Sequence, residues 1–200
     1  LNKALVGTIE TKPYEIGILS NVTINTFKEI IEYSCRVNQI EPNVELGNFD
    51  NILQDSYTFN QKDLVIIFYD MLNIVDNISG FFEDMDDVLY ADLKQKLFTE
   101  IDIIFKNLKA IPAVVFNSFS SAYFVSGYST ETKKELLVSE LNSYLEEIKP
   151  TNVTIVNLNK IYNQISVKQA IDYRFYNSSK APYTFTFFKN FKLKNIKHML

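Results

Sequence analysis

Hydrophobic positions along the chain follow two alternating patterns. Short continuous apolar runs end in polar residues: "YEIGILS" (14–20), "NVELG" (43–47), "DLVIIFYD" (63–70), "AVVFNSF" (113–119) and "NVTIVNL" (152–158). Runs of this length, bounded by turn-forming residues, predict buried strands. Between them, apolar residues recur every third or fourth position, the spacing of a helix face. Residues 24–37 place Ile24, Phe27, Ile30, Ile31 and Cys35 on one such face. Thr26 and Glu29 have capping-box spacing there, while Asn21 or Thr23 could cap one turn earlier. A longer stripe runs through Leu89, Leu93, Leu97, Ile101, Ile104 and Leu108, before Pro112 resets the backbone. Leu137, Leu141, Tyr144, Leu145 and Ile148 mark a further helix, opened by a Thr132–Glu135 capping box and closed by Pro150.

Five strands joined mostly by helical crossovers imply an α/β fold: a parallel sheet covered by helices on both faces, three layers in all. Such sheets bind ligands outside the carboxyl ends of their strands, where strand order reverses. Here those ends are Ser20 and Asn21, Gly47 and Asn48, Asp70 and Asn73, Asn117 and Ser118, and Asn157 and Asn159. Together they make a polar rim, the candidate ligand site. The plain alternative is that strand ends are polar wherever loops meet water.

Composition narrows the options. The chain has 200 residues, 46% hydrophobic and 22% charged, which suits one domain with a sizeable core. A net charge of −4 with no Lys/Arg block leaves no footprint for nucleic acid or a polyanionic membrane surface. No apolar stretch reaches the roughly 18 residues of a membrane span, and no signal-peptide layout opens the chain. A cytoplasmic location is the expectation. A single cysteine, Cys35, rules out an intrachain disulfide and a cysteine-based zinc site. The single histidine, His198, lies almost at the end, so a Ser-His-Asp triad or a His-ligated metal lacks its core imidazole.

Three stretches invite chemistry. Ser20 sits where a first strand turns toward a helix. A serine nucleophile needs a base and an oxyanion hole; amides near Asn21 and Gly47 could supply the hole, but no histidine supplies the base. The alternative is that Ser20 ends a strand and that it or Asn21 caps the next helix. "DMDDVL" (84–89) fits the Asp-x-Asp pattern of haloacid-dehalogenase phosphatases. That chemistry needs a buried strand in front, whereas "GFFE" is short, and acidic residues in a helix's first turn are favoured by its dipole. In "IDYRFYNSSKAPYTFTFFKNF" (171–191) no periodicity stands out, and the segment reads as irregular. Arg174 could clamp an anion bidentately, or Asp172 and Arg174 could form a structural pair tying the tail to the sheet.

Taken in order, "IGILSNVTINTFKEIIEYSCRVNQIEPNVELGNFDNILQD", "KDLVIIFYDMLNI" and "DYRFYNSSKAPYTFTFF" resemble the N-terminal region of FkbH-like proteins, bacterial proteins of polyketide and surface-polysaccharide pathways. The resemblance runs from about Tyr14 to Phe188 and implies an SGNH-hydrolase-like, flavodoxin-like domain. In that family a separate haloacid-dehalogenase-type domain follows and carries magnesium-dependent phosphatase or phosphotransferase chemistry. Its Asp-x-Asp-x-Thr-Leu-Trp strand does not occur here. The implied organisation is a lead-in (1–13), the SGNH-like domain (14–170) and an irregular segment (171–200) leading to the absent domain. The implied partners are that downstream domain and an acyl carrier protein; no cofactor is expected for this domain, Mg2+ belonging to the absent one. Where SGNH relatives read Leu-Gly-Gly-Ser-Thr, this chain reads Leu19-Ser20-Asn21-Val22-Thr23, which puts Val22 at the catalytic serine position. Gly47 matches the second block and Asn73, loosely, the third. The final Asp-x-x-His block meets Asp172-Tyr173-Arg174-Phe175, without histidine. The resemblance therefore implies a domain with no catalytic residues. The rival is an SGNH-type hydrolase or acyltransferase using Ser20 or Thr23 with an unconventional base such as Asp172.

Overall fold

The computed structural model describes residues 5–7, 9, 12–78, 82, 84–122 and 132–195. His198 and most of "GFFE" lie outside the described residues. The chain order is β1 (Tyr14–Ser20), α1 (Asn25–Val37), β2 (Pro42–Leu46), α2 (Ile52–Thr58), β3 (Leu64–Phe68), α3 (Met71–Ile78), α4 (Asp87–Asn107), β4 (Ala113–Asn117), α5 (Lys133–Ile148), β5 (Val153–Val156), α6 (Leu158–Ile165), α7 (Val167–Ala170), α8 (Tyr173–Ser179) and α9 (Phe185–Asn195). All five strands fall where the apolar runs predict them, and every pairing in the sheet is parallel. The strand order is β2-β1-β3-β4-β5, the doubly wound flavodoxin-like order, which reverses between β1 and β3.

Alternation along each strand divides the core in two, because successive side chains point to opposite faces. Ile16, Ile18, Leu64, Ile66, Phe68 and Val115 face one layer, where α1, α6 and α9 supply Phe27, Ile31, Ile161, Phe187, Phe188 and Phe191. Leu19, Val65, Ile67, Val114 and Phe116 face the other, against Leu97, Ile101 and Ile104 of α4 and Leu137, Leu141 and Leu145 of α5. β3 is buried on both faces over its whole length, which is why it reads as an unbroken apolar run rather than an alternating one.

Helix ends correct the sequence at one place and agree with it at another. Thr132 and Glu135 form the full reciprocal capping box of α5. At α1 neither Thr26 nor an earlier residue caps: Ile24 occupies the cap position and no side chain bonds the free amides. Asn21 and Thr23 are engaged elsewhere, Thr23 Oγ1 donating to the Ser179 carbonyl at 2.8 Å. The α4 stripe is buried from Leu97 onward, but Leu89 stays 56% exposed. The acidic "DMDDVL" stretch makes a helix start. Asp86 caps α4 by accepting from the Leu89 amide at 2.8 Å.

The C-terminal stretch departs most from expectation. It is two helices, α8 and α9, rather than an irregular tail, and α9 packs on the α1 face of the sheet. An isolated antiparallel bridge joins Ile171 and Tyr183, and the Asp172 amide donates to the Pro182 carbonyl. Phe187, Phe188 and Phe191 then pack with Phe27 and Phe68, with ring centroids 4.6–6.0 Å apart among them. Each fully buried aromatic of this kind contributes on the order of 2–3 kcal/mol.

Candidate functional site

At the strand ends, most of the polar rim turns inward. Asn21 is 1% exposed and clasps the backbone of Asp70: its Nδ2 donates to the Asp70 carbonyl at 2.9 Å, and its Oδ1 accepts from the Asp70 amide at 2.6 Å. Asn117 does the same to the preceding residue from the other side. Its Oδ1 accepts from the Tyr69 amide at 2.7 Å and its Nδ2 donates to the Tyr69 carbonyl at 3.1 Å. The two amides therefore extend the sheet one step beyond β3, satisfying backbone groups that would otherwise be buried and unpaired. Ser118 acts similarly, its Oγ accepting from the Leu158 amide at 3.0 Å.

Ser20 does not present a nucleophile. Its hydroxyl donates to the Val22 carbonyl at 2.8 Å and accepts from the Val22 amide at 3.1 Å, closing a local turn. Val22 itself is a buried apolar residue. Gly47 and Asn48 belong to a loop braced by Asp55, a residue no motif singles out. Asp55 accepts from the Asn48 amide at 2.5 Å and from the Asn48 and Asn51 side chains at 3.1 and 2.7 Å. A Cβ on Gly47 would stand 2.7 Å from both Asp55 Oδ2 and Leu19 Cδ2, so any larger residue would force those side chains to shift.

Asp70 is buried, its Oδ1 accepting from the Leu72 amide at 2.7 Å and its Oδ2 from the Tyr183 hydroxyl. That buried bond and the Thr23 contacts to Ser179 and Lys180 are what tie the C-terminal helices to the strand ends. Asn73 is also buried, with no hydrogen-bond partner for its Nδ2 among the described residues. Asp172 and Arg174 do pair, but locally. Asp172 caps α8 by accepting from the Arg174 amide at 3.0 Å, and the guanidinium bonds the same carboxylate at 3.0 and 2.6 Å. The Arg174 side chain is 88% exposed, so this pair anchors nothing to the sheet. Its hydrogen bonds hold the Asp172 carboxyl down at about 2, too acidic for a general base near neutral pH.

The open space lies beside the rim. A groove of about 320 Å³ opens at the switch point between β1 and β3, bounded by the loop after β2, by α2, α3 and α4. Of the predicted rim residues only Asn21 lines it. Its other polar lining is Asp50, Gln54, Tyr69, Lys96 and Glu100, and Ile52, Leu53, Ile74, Leu93, Leu97 and Ile104 form its apolar walls. The Tyr69 hydroxyl donates to Glu100. Burial first, then the neighbouring Glu100 and Asp50 charges, push its phenol far up, so it stays a neutral hydrogen-bonding group. Tyr69 lay inside a recognised strand end, but Asp50, Lys96 and Glu100 are ordinary charged residues until the fold brings them together. A second hollow of about 270 Å³ at the edge of the sheet is lined by Ser20, Thr23, Gly47 and Phe49 among others. No group of three His, Cys, Asp or Glu side chains able to hold a metal occurs among the described residues. No helix among them is long and apolar enough to cross a membrane.

No protein-family model matches the chain, and no curated protein matches it in sequence. Solved structures share its fold, among them these two. One is the N-terminal part of the protein BF1531 from Bacteroides fragilis, containing a phosphatase domain complexed with Mg. It superposes with a TM-score of 0.77 at 14% identity over 98% of this chain. The other is the salicylyl-acyltransferase SsfX3 from a tetracycline biosynthetic pathway, with a TM-score of 0.51 at 13% identity over 95% of this chain. This chain spans 55% of each of them. At such identities the likeness establishes the α/β fold.

Proposed function

We propose that this chain is a catalytically silent, SGNH-like N-terminal domain of an FkbH-like protein, which positions substrate, a carrier protein or a downstream phosphatase or phosphotransferase domain. The observation that carries the proposal is the fate of the strand-end hydroxyls. The position matched to the hydrolase serine is the buried Val22, while Ser20 and Thr23 direct their hydroxyls to backbone groups and contact no base. A nucleophile must have a base as well as reach the substrate, and among the described residues neither hydroxyl contacts one. The carboxylate of Asp172, the one base in the matching block, is engaged by Arg174 and the α8 amide. Likeness to the phosphatase-containing BF1531 over nearly the whole of this chain, and over little more than half of that one, supports the downstream-domain part of the proposal.

The test is the reading frame beyond Leu200. An apolar strand running into Asp-x-Asp-x-Thr-Leu-Trp within a few tens of codons is the expected finding. A frame that continues into an unrelated domain, or stops at once, would refute the assignment.

A further inference from the structure

We propose that residues 172–182, which carry α8, form a flap that opens as a unit from the end of β1, with Thr23 as its latch. This goes beyond the family assignment and holds whatever domain follows the chain.

The flap has a fixed base and a lightly held body. At the base, the Ile171–Tyr183 bridge is flanked by two backbone bonds, from the Asp172 amide to the Pro182 carbonyl at 2.8 Å and from the Thr184 amide to the Ala170 carbonyl at 2.9 Å. The core takes in Ala170, Ile171 and Tyr183 but no residue from 172–182. Within the flap Tyr176 and Pro182 are buried, whereas Tyr173 and Phe175 are 46% and 59% exposed. Part of the cover over Tyr176 is the flap's own Lys180, whose Nζ lies 4.5 Å from the ring centroid. A seven-residue helix does not persist alone in water, so α8 stays folded only while it is held down. Its C-cap, Lys180, sits in the left-handed region at φ 53°, which a non-glycine side chain opposes. Thr23 fastens the tip: its amide donates to the Lys180 carbonyl at 2.7 Å and its Oγ1 to the Ser179 carbonyl at 2.8 Å. Segments with so few buried apolar contacts open locally, at a lower free energy than the whole fold. Opening releases both Thr23 groups beside the hollow of about 270 Å³ that Thr23 lines with Ser20, Gly47 and Phe49. The closed flap withholds those two hydrogen-bonding groups from any ligand of that hollow.

Native-state hydrogen exchange, read amide by amide by NMR, tests this. Tyr176, Lys180 and Ala181 donate their amides within the flap, and Thr23 donates to it from the other end of the sequence. These four are expected to share one opening constant, at least about tenfold larger than that of the amides of the central strand β3. Two mild variants then separate the flap from the fold. Thr23→Val keeps the side-chain shape and the amide but loses the hydroxyl, and should speed exchange at all four about fivefold, the effect of one hydrogen bond. Ile101→Val trims the core on the opposite face of the sheet, and should speed β3 about fivefold while leaving the four flap amides at the parent rate. Flap amides that exchange in step with β3, a Thr23 amide that opens apart from them, flap rates unmoved by Thr23→Val, or flap rates raised by Ile101→Val as much as β3 would each overturn the proposal.

Discussion

Asn21 and Asn117 each make two hydrogen bonds to the backbone just past β3, so their amides act as structural parts of the sheet. Replacing Asn21 by alanine strands the buried Asp70 amide, and replacing Asn117 strands the Tyr69 amide and carbonyl, at about 1–3 kcal/mol per group stranded. Urea denaturation of Asn21→Ala and Asn117→Ala should therefore show clear losses, and Ser20→Ala, which strands the buried Val22 amide and carbonyl, a loss of the same order. Gly47→Ala is expected to be destabilised by about 1–3 kcal/mol, since its methyl would press on the Asp55 carboxylate and Leu19. The Asp172 carboxyl offers a test of a different kind. Held at about 2 instead of its ordinary 3.8 by Arg174, it stabilises the fold fully above the ordinary value, and that contribution fades as pH falls toward 2. Arg174→Gln should return its titration toward 3.8, read from the side-chain carboxyl ¹³C shift. Stability at neutral pH should fall together with the shift, and only modestly, because the pair is solvated.

At the scale of elements, the chain announces what its own periodicity controls. The five strands and the α5 capping box were legible because a doubly buried strand and a Thr-x-x-Glu start are local signals. The cap of α1 was not, since long-range partners claim Asn21 and Thr23. α9 was hidden for a related reason. No periodicity stands out across its stretch, and its helical face appears only once Phe187, Phe188 and Phe191 meet Phe27 and Phe68 across the fold. Phe191→Ala should cost about 3–5 kcal/mol in thermal or urea unfolding, the value for a buried aromatic rather than for a surface tail. A loss under about 1 kcal/mol would mean that α9 is not part of the core. The candidate site was only partly legible. Strand ends marked its neighbourhood, but the Tyr69–Glu100 contact spans 31 residues and carries no local signature.

On the scale of the whole molecule, the sheet order and two-sided helical cover are those of a doubly wound fold with its crevice at β1 and β3. What distinguishes this chain is the use made of that edge. Amides that could face a substrate bind backbone, the buried Val22 stands where the resemblance places a nucleophilic serine, and the C-terminal helices are fastened over the strand ends through Tyr183 and Asp70. A hydrolase-like scaffold kept without its hydrolytic parts is what we propose, and it is the central claim. Its most direct test is steady-state hydrolysis of p-nitrophenyl acetate by the purified chain, alongside Ser20→Ala and Thr23→Ala. The expected result is no saturable turnover above the buffer rate and no difference among the three proteins. Saturable turnover that either substitution abolishes would contradict it.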